Sequence, residues 1–446
     1  MTDFKQLKLN DWLIKQCNKM GLLSPTPVQL HCIPEILLGK DCIGCSKTGS
    51  GKTLAFAIPV LQKLSEDPYG IFALILTPTR ELACQIADQF RVLGKPINLE
   101  LCLIIGGMDM MKQGKELARH PHIVIATPGR LADHLESCNT FTLKSIKFLI
   151  LDEADRLLEG QFNNQLNTIF NSLPKQKQTL LFSATITQNV QNMEKHLSNK
   201  FYWSQVEEIS TVDQLEQFYV LMPALVRDPY LVHIIHRYLE KNQNNSLIIF
   251  TGSCKKCQIL SMALTSLGFE NVSLHSMKAQ RERFISLSKF KSNKVKILVA
   301  TDVASRGLDI PTVDMVINYN VPKPKTYIHR VGRTARAGRG GMAVTLVSQF
   351  DVDSVHKVEN FINKKLSLYE TKEKRVLDIM LQVSVATREA EIRLGETDFG
   401  ERKIINQKKR KILEAENKKK PKDCVTKKSD KINNKQKKKR KKLLEN

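Results

Sequence analysis

The sequence predicts two tandem α/β domains, each a doubly wound, mainly parallel sheet, followed by a basic disordered tail. Short apolar runs rich in β-branched residues alternate with longer amphipathic stretches, the pattern of strands feeding crossover helices. A polar segment interrupts that alternation once, near the middle, and after residue 402 it gives way to a Lys-rich stretch almost without aromatics.

In order, strands are expected at 41–45, 72–77, 101–105, 123–126, 148–151 and 179–182, with the first domain closing near Trp203. Residues 206–214 are the linker candidate. Strand-like runs resume at 218–222, 247–250, 272–275, 297–300, 315–318 and 343–347, so a second α/β domain is expected over 215–366. Apolar residues at helical spacing continue through 367–400 as a helical extension. Residues 401–446 bury too little apolar surface to offset their ordering entropy, and disorder is expected there. The two halves share no short sequence period, which excludes a solenoid.

The formal charge of +24 points to a polyanion as partner. The tail carries 20 Lys or Arg against 6 Asp or Glu, so most of the excess sits there and the body is only mildly basic. Its run Lys437-Lys438-Lys439-Arg440-Lys441-Lys442 reads as a targeting segment for the nucleus or nucleolus and as added affinity for nucleic acid, or else as a solubilising tail. No apolar run approaches the roughly 18 residues of a membrane span, and residues 1–10 lack the apolar core of a signal peptide, so a soluble intracellular protein is expected. The ten cysteines are scattered among apolar neighbours, as reduced buried thiols are. Cys42/Cys45 and Cys254/Cys257 have zinc-like spacing, but the first pair lies on a strand with no partner pair in its own domain, which favours a core origin.

Ser46-Lys47-Thr48-Gly49-Ser50-Gly51-Lys52-Thr53 lies between the first strand and an apolar helix. There the glycines let backbone N–H groups wrap a pyrophosphate, Lys52 reaches the terminal phosphates of ATP, and the Thr53 hydroxyl can ligate Mg²⁺. Ser46 stands where glycine usually opens such a loop. Asp152-Glu153-Ala154-Asp155 follows the strand at 148–151. Asp152 is placed to hold Mg²⁺ and Glu153 to orient or deprotonate a water. An acidic tetrapeptide can equally cap a helix, but its position downstream of a phosphate loop favours catalysis.

Asp152 to Asp155 spells the name of the DEAD-box RNA helicases, and from Phe4 to about Lys365 the chain resembles that family in about a dozen ordered motifs. The resemblance implies two RecA-like domains. Phe4 and Pro25-Thr26-Pro27-Val28-Gln29 resemble the adenine-reading motif of region 1–30, in which Gln29 would bond the base edge; Leu22 departs from the usual aromatic. Within the ATP-binding domain at 31–205, Thr79 and Arg80, Gly106-Gly107, and Thr127 with Arg130 resemble motifs gripping the RNA backbone. In the second domain Gln280, Arg283 and Thr301 resemble the remaining RNA and interdomain motifs, while His275-Ser276 departs from the usual His-Gly. Ser183-Ala184-Thr185 resembles the motif coupling hydrolysis to strand separation, expected to bond Asp155, and His329 belongs to the same coupling set.

By the same resemblance Asp309 binds ribose, and Arg333 and Arg336, three apart and expected on one helical face, reach the γ-phosphate as arginine fingers. Surface arginines on a basic helix are the alternative reading for Arg330. The resemblance implies RNA-stimulated ATP hydrolysis with local strand separation or remodelling of RNA–protein complexes, and is strongest to nucleolar members of small-ribosomal-subunit biogenesis acting on pre-rRNA. An ATP-gated RNA clamp serving as an assembly platform and a DNA helicase are the competing readings. A protein activator or pre-ribosomal proteins are the expected further partners, and a monomer the expected state.

Overall fold

A computed structural model of the chain describes residues 3–399 except 48, 139, 196, 198, 206–214, 242–244, 303–309, 311, 336–339 and 398. The tail 401–446 and the linker 206–214 therefore lie outside the described residues.

The first sheet grows out of a chain that runs α1 (Asp11–Lys19), α2 (Pro27–Leu37), β1 (Asp41–Ser46), α3 (Lys52–Glu66), β2 (Ala73–Leu76), α4 (Arg80–Gly94), β3 (Leu101–Ile104), α5 (Met110–Leu117), β4 (Ile123–Ala126), α6 (Pro128–Ser137), β5 (Phe148–Asp152), α7 (Ala154–Leu157), α8 (Asn163–Asn171), β6 (Gln178–Ser183), α9 (Gln188–Glu194) and β7 (Lys200–Gln205). The second is built by β8 (Leu215–Leu221), α10 (Arg227–Lys241), β9 (Leu247–Phe250), α11 (Cys254–Ser266), β10 (Asn271–Leu274), α12 (Gln280–Lys291), β11 (Ile297–Ala300), β12 (Met315–Asn318), α13 (Pro324–Val331), β13 (Gly341–Val347), α14 (Val352–Ile362) and β14 (Ser367–Leu368), followed by α15 (Glu373–Gly395).

Among the described residues each sheet has seven strands, all paired in parallel, in the orders β3-β4-β2-β5-β6-β1-β7 and β10-β11-β9-β12-β13-β8-β14. Strand for strand the second order repeats the first, so two stretches without a shared sequence period fold to one topology. These are tandem RecA-like domains, as expected. Central strands such as β2 and β9 are buried along their whole length, the condition of a parallel strand covered by helices on both faces. Phe56 of α3 meets Phe90 of α4 and Phe182 of β6 at ring-centroid distances of 6.2 and 5.3 Å, and burying each ring contributes roughly 1.5–3 kcal/mol. Gly44 on β1 makes room for this: a Cβ there would lie 2.6 Å from Phe182 Cε1.

Two strands differ from the sequence reading. β7 and β14 are edge strands with mostly exposed residues, and neither shows the continuous apolar run of a central strand. Cys42 and Cys45 are core residues of β1, whereas Cys254 and Cys257 open α11 beside the other sheet. A hydrogen bond with Cys32, then burial, raises the pKa of the Cys42 thiol.

Both sheets belong to one compact unit, Met1–Ala390. No helix of the described residues is long and apolar enough to cross a membrane.

Candidate functional site

The strands of the first sheet deliver their C-terminal ends to one edge, the position at which doubly wound folds bind ligands. β1 ends at Ser46, and the loop to α3 contains Gly49 and Gly51 at φ +84° and +90°, a region other residues enter only under strain. Ser46 and Ser50 hydroxyls bond at 2.6 Å, so the serine in place of the usual glycine braces the loop. Lys52 donates to the carbonyls of Ser46 and Lys47. Thr53, half-buried, follows in the first turn of α3, while Thr48 lies outside the described residues.

Gln29 closes the loop from the side of α2. Its Nε2 donates to Gly51 O at 3.1 Å, and its Oε1 accepts from the Thr26 N–H at 3.0 Å. Phe4 is wholly buried in the core cluster with Leu13 and Cys17, presenting no face to solvent; Leu22 packs at the margin of the same cluster.

At the end of β5, Asp152 Oδ1 accepts from the Glu153 N–H at 3.0 Å. Glu153 has φ +52°, a left-handed conformation that costs a non-glycine residue about 1–2 kcal/mol and gathers at functional sites. Burial pushes Asp152 up to about 6 against the pull of Lys52. Burial, then the Asp152 charge, pushes Glu153 up to about 7, with Arg156 and, from the second sheet, Arg333 opposing. Burial also pulls Lys52 below its ordinary value, opposed first by Asp152. Thr185 Oγ1 donates to Asp155 Oδ2 at 2.7 Å, and the Ser183 hydroxyl donates to the Thr185 carbonyl at 2.7 Å. Thr185, not Ser183, is thus the direct link to Asp155.

Asp152 and Thr53 present oxygen donors at the phosphate-loop edge. A buried carboxylate whose charged form is disfavoured, next to a second one and to Asp155, is the donor chemistry a hard divalent cation relieves, so these residues fit Mg²⁺.

A second cluster joins the two sheets. Glu81, first turn of α4, forms a 2.7 Å ion pair with Arg283 and accepts from Gln280 Nε2 at 2.8 Å. Arg80 donates to Gln280 Oε1 at 3.4 Å and lies against Gly106 and Gly107, where any Cβ would come within 2.8 Å of its guanidinium. Phe284 of α12 packs on the core of the first sheet. Gln280 and Arg283 are here buried by Glu81 instead of presented to solvent, since a desolvated guanidinium requires a carboxylate. Burial and then Arg283 depress the pKa of Arg80, Glu81 opposes them, and Arg130 acts in the same sense as Arg283. Thr79 caps α4 by accepting from the Leu82 N–H at 3.3 Å, and Thr127 precedes α6.

On the second sheet the buried Thr301 hydroxyl has no hydrogen-bond partner among the described residues. Arg330 pairs with Asp302 at 2.6 Å and lies over Phe250, 5.3 Å from the ring centroid, which makes it a structural residue. His329 is half-buried on α13. The expected helical face for Arg333 and Arg336 is corrected: α13 stops at Val331, Gly332 caps it, and Ala335 at φ +52° cannot continue a helix. Arg333 occupies the turn, and Arg336 and Asp309 lie outside the described residues.

Two residues escaped the sequence reading. Glu81 is the acceptor at the centre of the two-sheet cluster. Gln113 on α5 donates to Ile105 O at 2.9 Å and accepts from Arg130 at 3.5 Å, while Arg130 also donates to Met108 O at 2.8 Å. The available signal was Gln113 four residues before Leu117, a polar residue on the apolar face of α5 that must find partners when buried.

Family models described as DEAD/DEAH box helicase and as helicase conserved C-terminal domain match residues 26–193 and 230–338. The chain is 58% identical over 419 residues to a human protein named probable ATP-dependent RNA helicase DDX49, covering 93% of this chain and 87% of that one. It is 49% identical to DEAD-box ATP-dependent RNA helicase 36 of Arabidopsis thaliana, over 92% of this chain and 84% of the other. Among solved structures, S. cerevisiae Dbp5 bound to RNA and ADP BeF3 matches with a TM-score of 0.75 at 28% identity, over 87% of this chain and 100% of that one. Mss116p bound to ssRNA and AMP-PNP matches with a TM-score of 0.75 at 31% identity, over 85% and 81%.

Proposed function

The chain belongs to the DEAD-box family of ATP-dependent RNA helicases, and on that premise we propose that its hydrolytic site is divided between the two sheets and completed when ATP and RNA draw them together. The observation carrying this reading is that the two domains meet in one buried cluster, the 2.7 Å Glu81–Arg283 ion pair, with Arg333 in the turn after α13 near enough to favour the charged form of Glu153. Lys52 and the loop amides would take the β- and γ-phosphates, with Gln29 reading adenine after exchanging its bond to Gly51 for one to the base. Glu153 would accept the proton of the attacking water, and Arg333, with Arg336 by resemblance, would offset charge on the γ-phosphate. Asp152 and Thr53 would hold Mg²⁺, which neutralises phosphate charge when bound. Asp309 would take the ribose by resemblance.

Arg80, Arg130, Thr79, Gly107, Thr127 and Thr301 are proposed as the RNA face, gripping backbone without reading bases, while Gln280 and Arg283, buried against Glu81, are proposed to hold the two domains together beside it. Ligands that contact both sheets favour their apposition and so raise each other's affinity. Bending of one strand on closure would separate a short duplex locally. Asp155 and Thr185, with Ser183 and His329, would pass the state of the phosphate site to the RNA.

We infer further that the RNA is pre-ribosomal and the protein nucleolar, acting as a monomer with pre-ribosomal proteins or an activator. The Lys-rich tail and the subgroup resemblance support this.

The test is ATP hydrolysis with RNA, with DNA of the same sequence, and without nucleic acid. Severalfold stimulation by RNA alone and its loss in Glu153→Gln are expected; turnover indifferent to RNA would overturn the split site. Crosslinking of ATP-trapped Glu153→Gln to cellular RNA should recover pre-rRNA, and recovery of other RNA classes instead would remove the ribosomal assignment.

A further inference from the structure

We propose that a basic cavity at the N-terminal edge of the first sheet is a second RNA site, which takes an unpaired nucleotide of the strand flanking the segment held at the RNA face. The strands of this sheet carry the phosphate loop and the carboxylates at their C-terminal ends. At their opposite ends Phe72, just before β2, Phe148 of β5 and Gln178 of β6 line a cavity of about 840 Å³. A volume of that order is the size of a small-ligand pocket and has room for a nucleotide with its neighbouring phosphates. α3 runs from Lys52 of the phosphate loop to Glu66 on the cavity wall, so its 15 residues set the two about 22 Å apart. From the reading of the RNA face the proposal takes only that RNA is held there, which the short RNA in the test checks separately.

The lining chemistry points to the ligand. Four lysines face two acids there; Lys63 is taken up by Glu66 at 3.1 Å, and Lys177 donates to the Pro174 carbonyl at 3.1 Å. The ammonium groups of Lys144 and Lys147, both exposed, have no hydrogen-bond or ion-pair partner among the described residues, and Asp67 is the one remaining acid of the lining. An excess of unpaired cations on a concave wall attracts a polyanion. Tyr69, half-buried, lines the same cavity. Its hydroxyl donates to the Ser145 carbonyl at 3.0 Å, and its ring meets Phe72 edge to face, with centroids 5.5 Å apart and planes at 73°. A ring fixed in this way can stack a base at little further ordering cost. Cations for phosphates beside an aromatic for a base are the combination that binds a single strand without reading its sequence. An acidic peptide would also satisfy Lys144 and Lys147. RNA is favoured because it is the polyanion on which this family acts, and a strand already bound to the chain presents its flank to the cavity at a raised effective concentration.

The test measures fluorescence anisotropy of the full chain with a single-stranded RNA of about eight nucleotides and with one about twenty nucleotides longer. For the longer RNA, Tyr69→Ala should weaken binding about tenfold, while Tyr69→Phe, which keeps the ring, should stay within about twofold of the parent. Lys144→Gln with Lys147→Gln should weaken it as well and reduce the slope of log affinity against log salt by about 1.4, two phosphate contacts at roughly 0.7 each. The short RNA should bind every variant as it binds the parent and stimulate ATP hydrolysis equally, which establishes that the variants are folded and the RNA face intact. Affinity for the longer RNA that is equal in parent and variants overturns the proposal. An equal loss for both RNAs overturns it too, since the effect would then act through the RNA face. Saturable binding of an aspartate-rich peptide that disappears in Lys144→Gln with Lys147→Gln, with RNA affinities unchanged, would overturn it by assigning the cavity to an acidic protein.

Discussion

Glu81 of α4 and Arg283 of α12, helices that belong to different domains, form an ion pair of 2.7 Å with side chains only 2% and 5% exposed. Removing one member of such a pair leaves an uncompensated buried charge, a loss of about 3 kcal/mol or on the order of 100-fold. Because the pair spans two sheets, that loss should fall on their apposition and not on either core. Glu81→Gln is expected to lower RNA-stimulated hydrolysis steeply while the thermal unfolding midpoint moves little, and exchange of the pair by Glu81→Arg with Arg283→Glu should recover part of the rate.

The carboxylates of β5 make a pH prediction. Glu153, held near 7 by burial and then by Asp152, acts as a base only when deprotonated, so kcat/KM for ATP should rise with pH through about 7 and level off above it. Glu153→Gln should reduce kcat by on the order of 10³ at every pH and remove that limb. Stopped assays across the range check both.

Gln113 holds Arg130 from one side and the carbonyl of Ile105 from the other. With Gln113→Leu, Arg130 keeps its bond to Met108 O but loses its lateral support, and the concentration of RNA giving half-maximal hydrolysis should rise about tenfold, equivalent to one charge-assisted hydrogen bond, at nearly unchanged kcat. A parallel fall in kcat with no change in RNA dependence would refute a positioning role.

His275 is wholly buried and bonded to Gln258 at 3.0 Å. Burial first, then Lys278 and Arg283, lowers its pKa from 6.5 to about 4. Between those values the unfolded chain binds a proton the folded one refuses. The contribution of this residue is therefore full above about 6.5 and lost progressively as pH falls toward about 4. Urea unfolding should show a smaller loss of stability on acidification for His275→Gln than for the parent.

Gly51 tolerates no side chain. At φ +90° a substituent is strained, and its Cβ would lie 2.4 Å from Gln29 Nε2. Gly51→Ala should weaken binding of a fluorescent ATP analogue at least tenfold, about 1.4 kcal/mol, with the fold retained by circular dichroism.

What could be read from the sequence was what is local. Central strands announce themselves as apolar runs, and the phosphate loop and the Asp152–Asp155 segment carry fixed spacings. β7 and β14 could not be seen because an edge strand's polar residues obey no such run. The end of α13 at Val331 depends on Gly332 and a left-handed Ala335, which interrupt a segment whose arginine spacing looks helical. Glu81 was passed over because its partners, Gln280 and Arg283, are supplied by the other half of the chain, and no local pattern announces a pairing made only in three dimensions.

The bond from Gln29 to Gly51 makes the inspector of the base and the gripper of the phosphates a single mechanical part. On the proposed reading, Gln29 lets go of the loop only when an adenine edge replaces what it gives up. An impostor nucleotide with a faultless triphosphate then meets a loop still tied down, and supplying more of it does not untie the loop. Fidelity of this kind is a matter of permission to proceed, visible in turnover at saturation as well as in residence time.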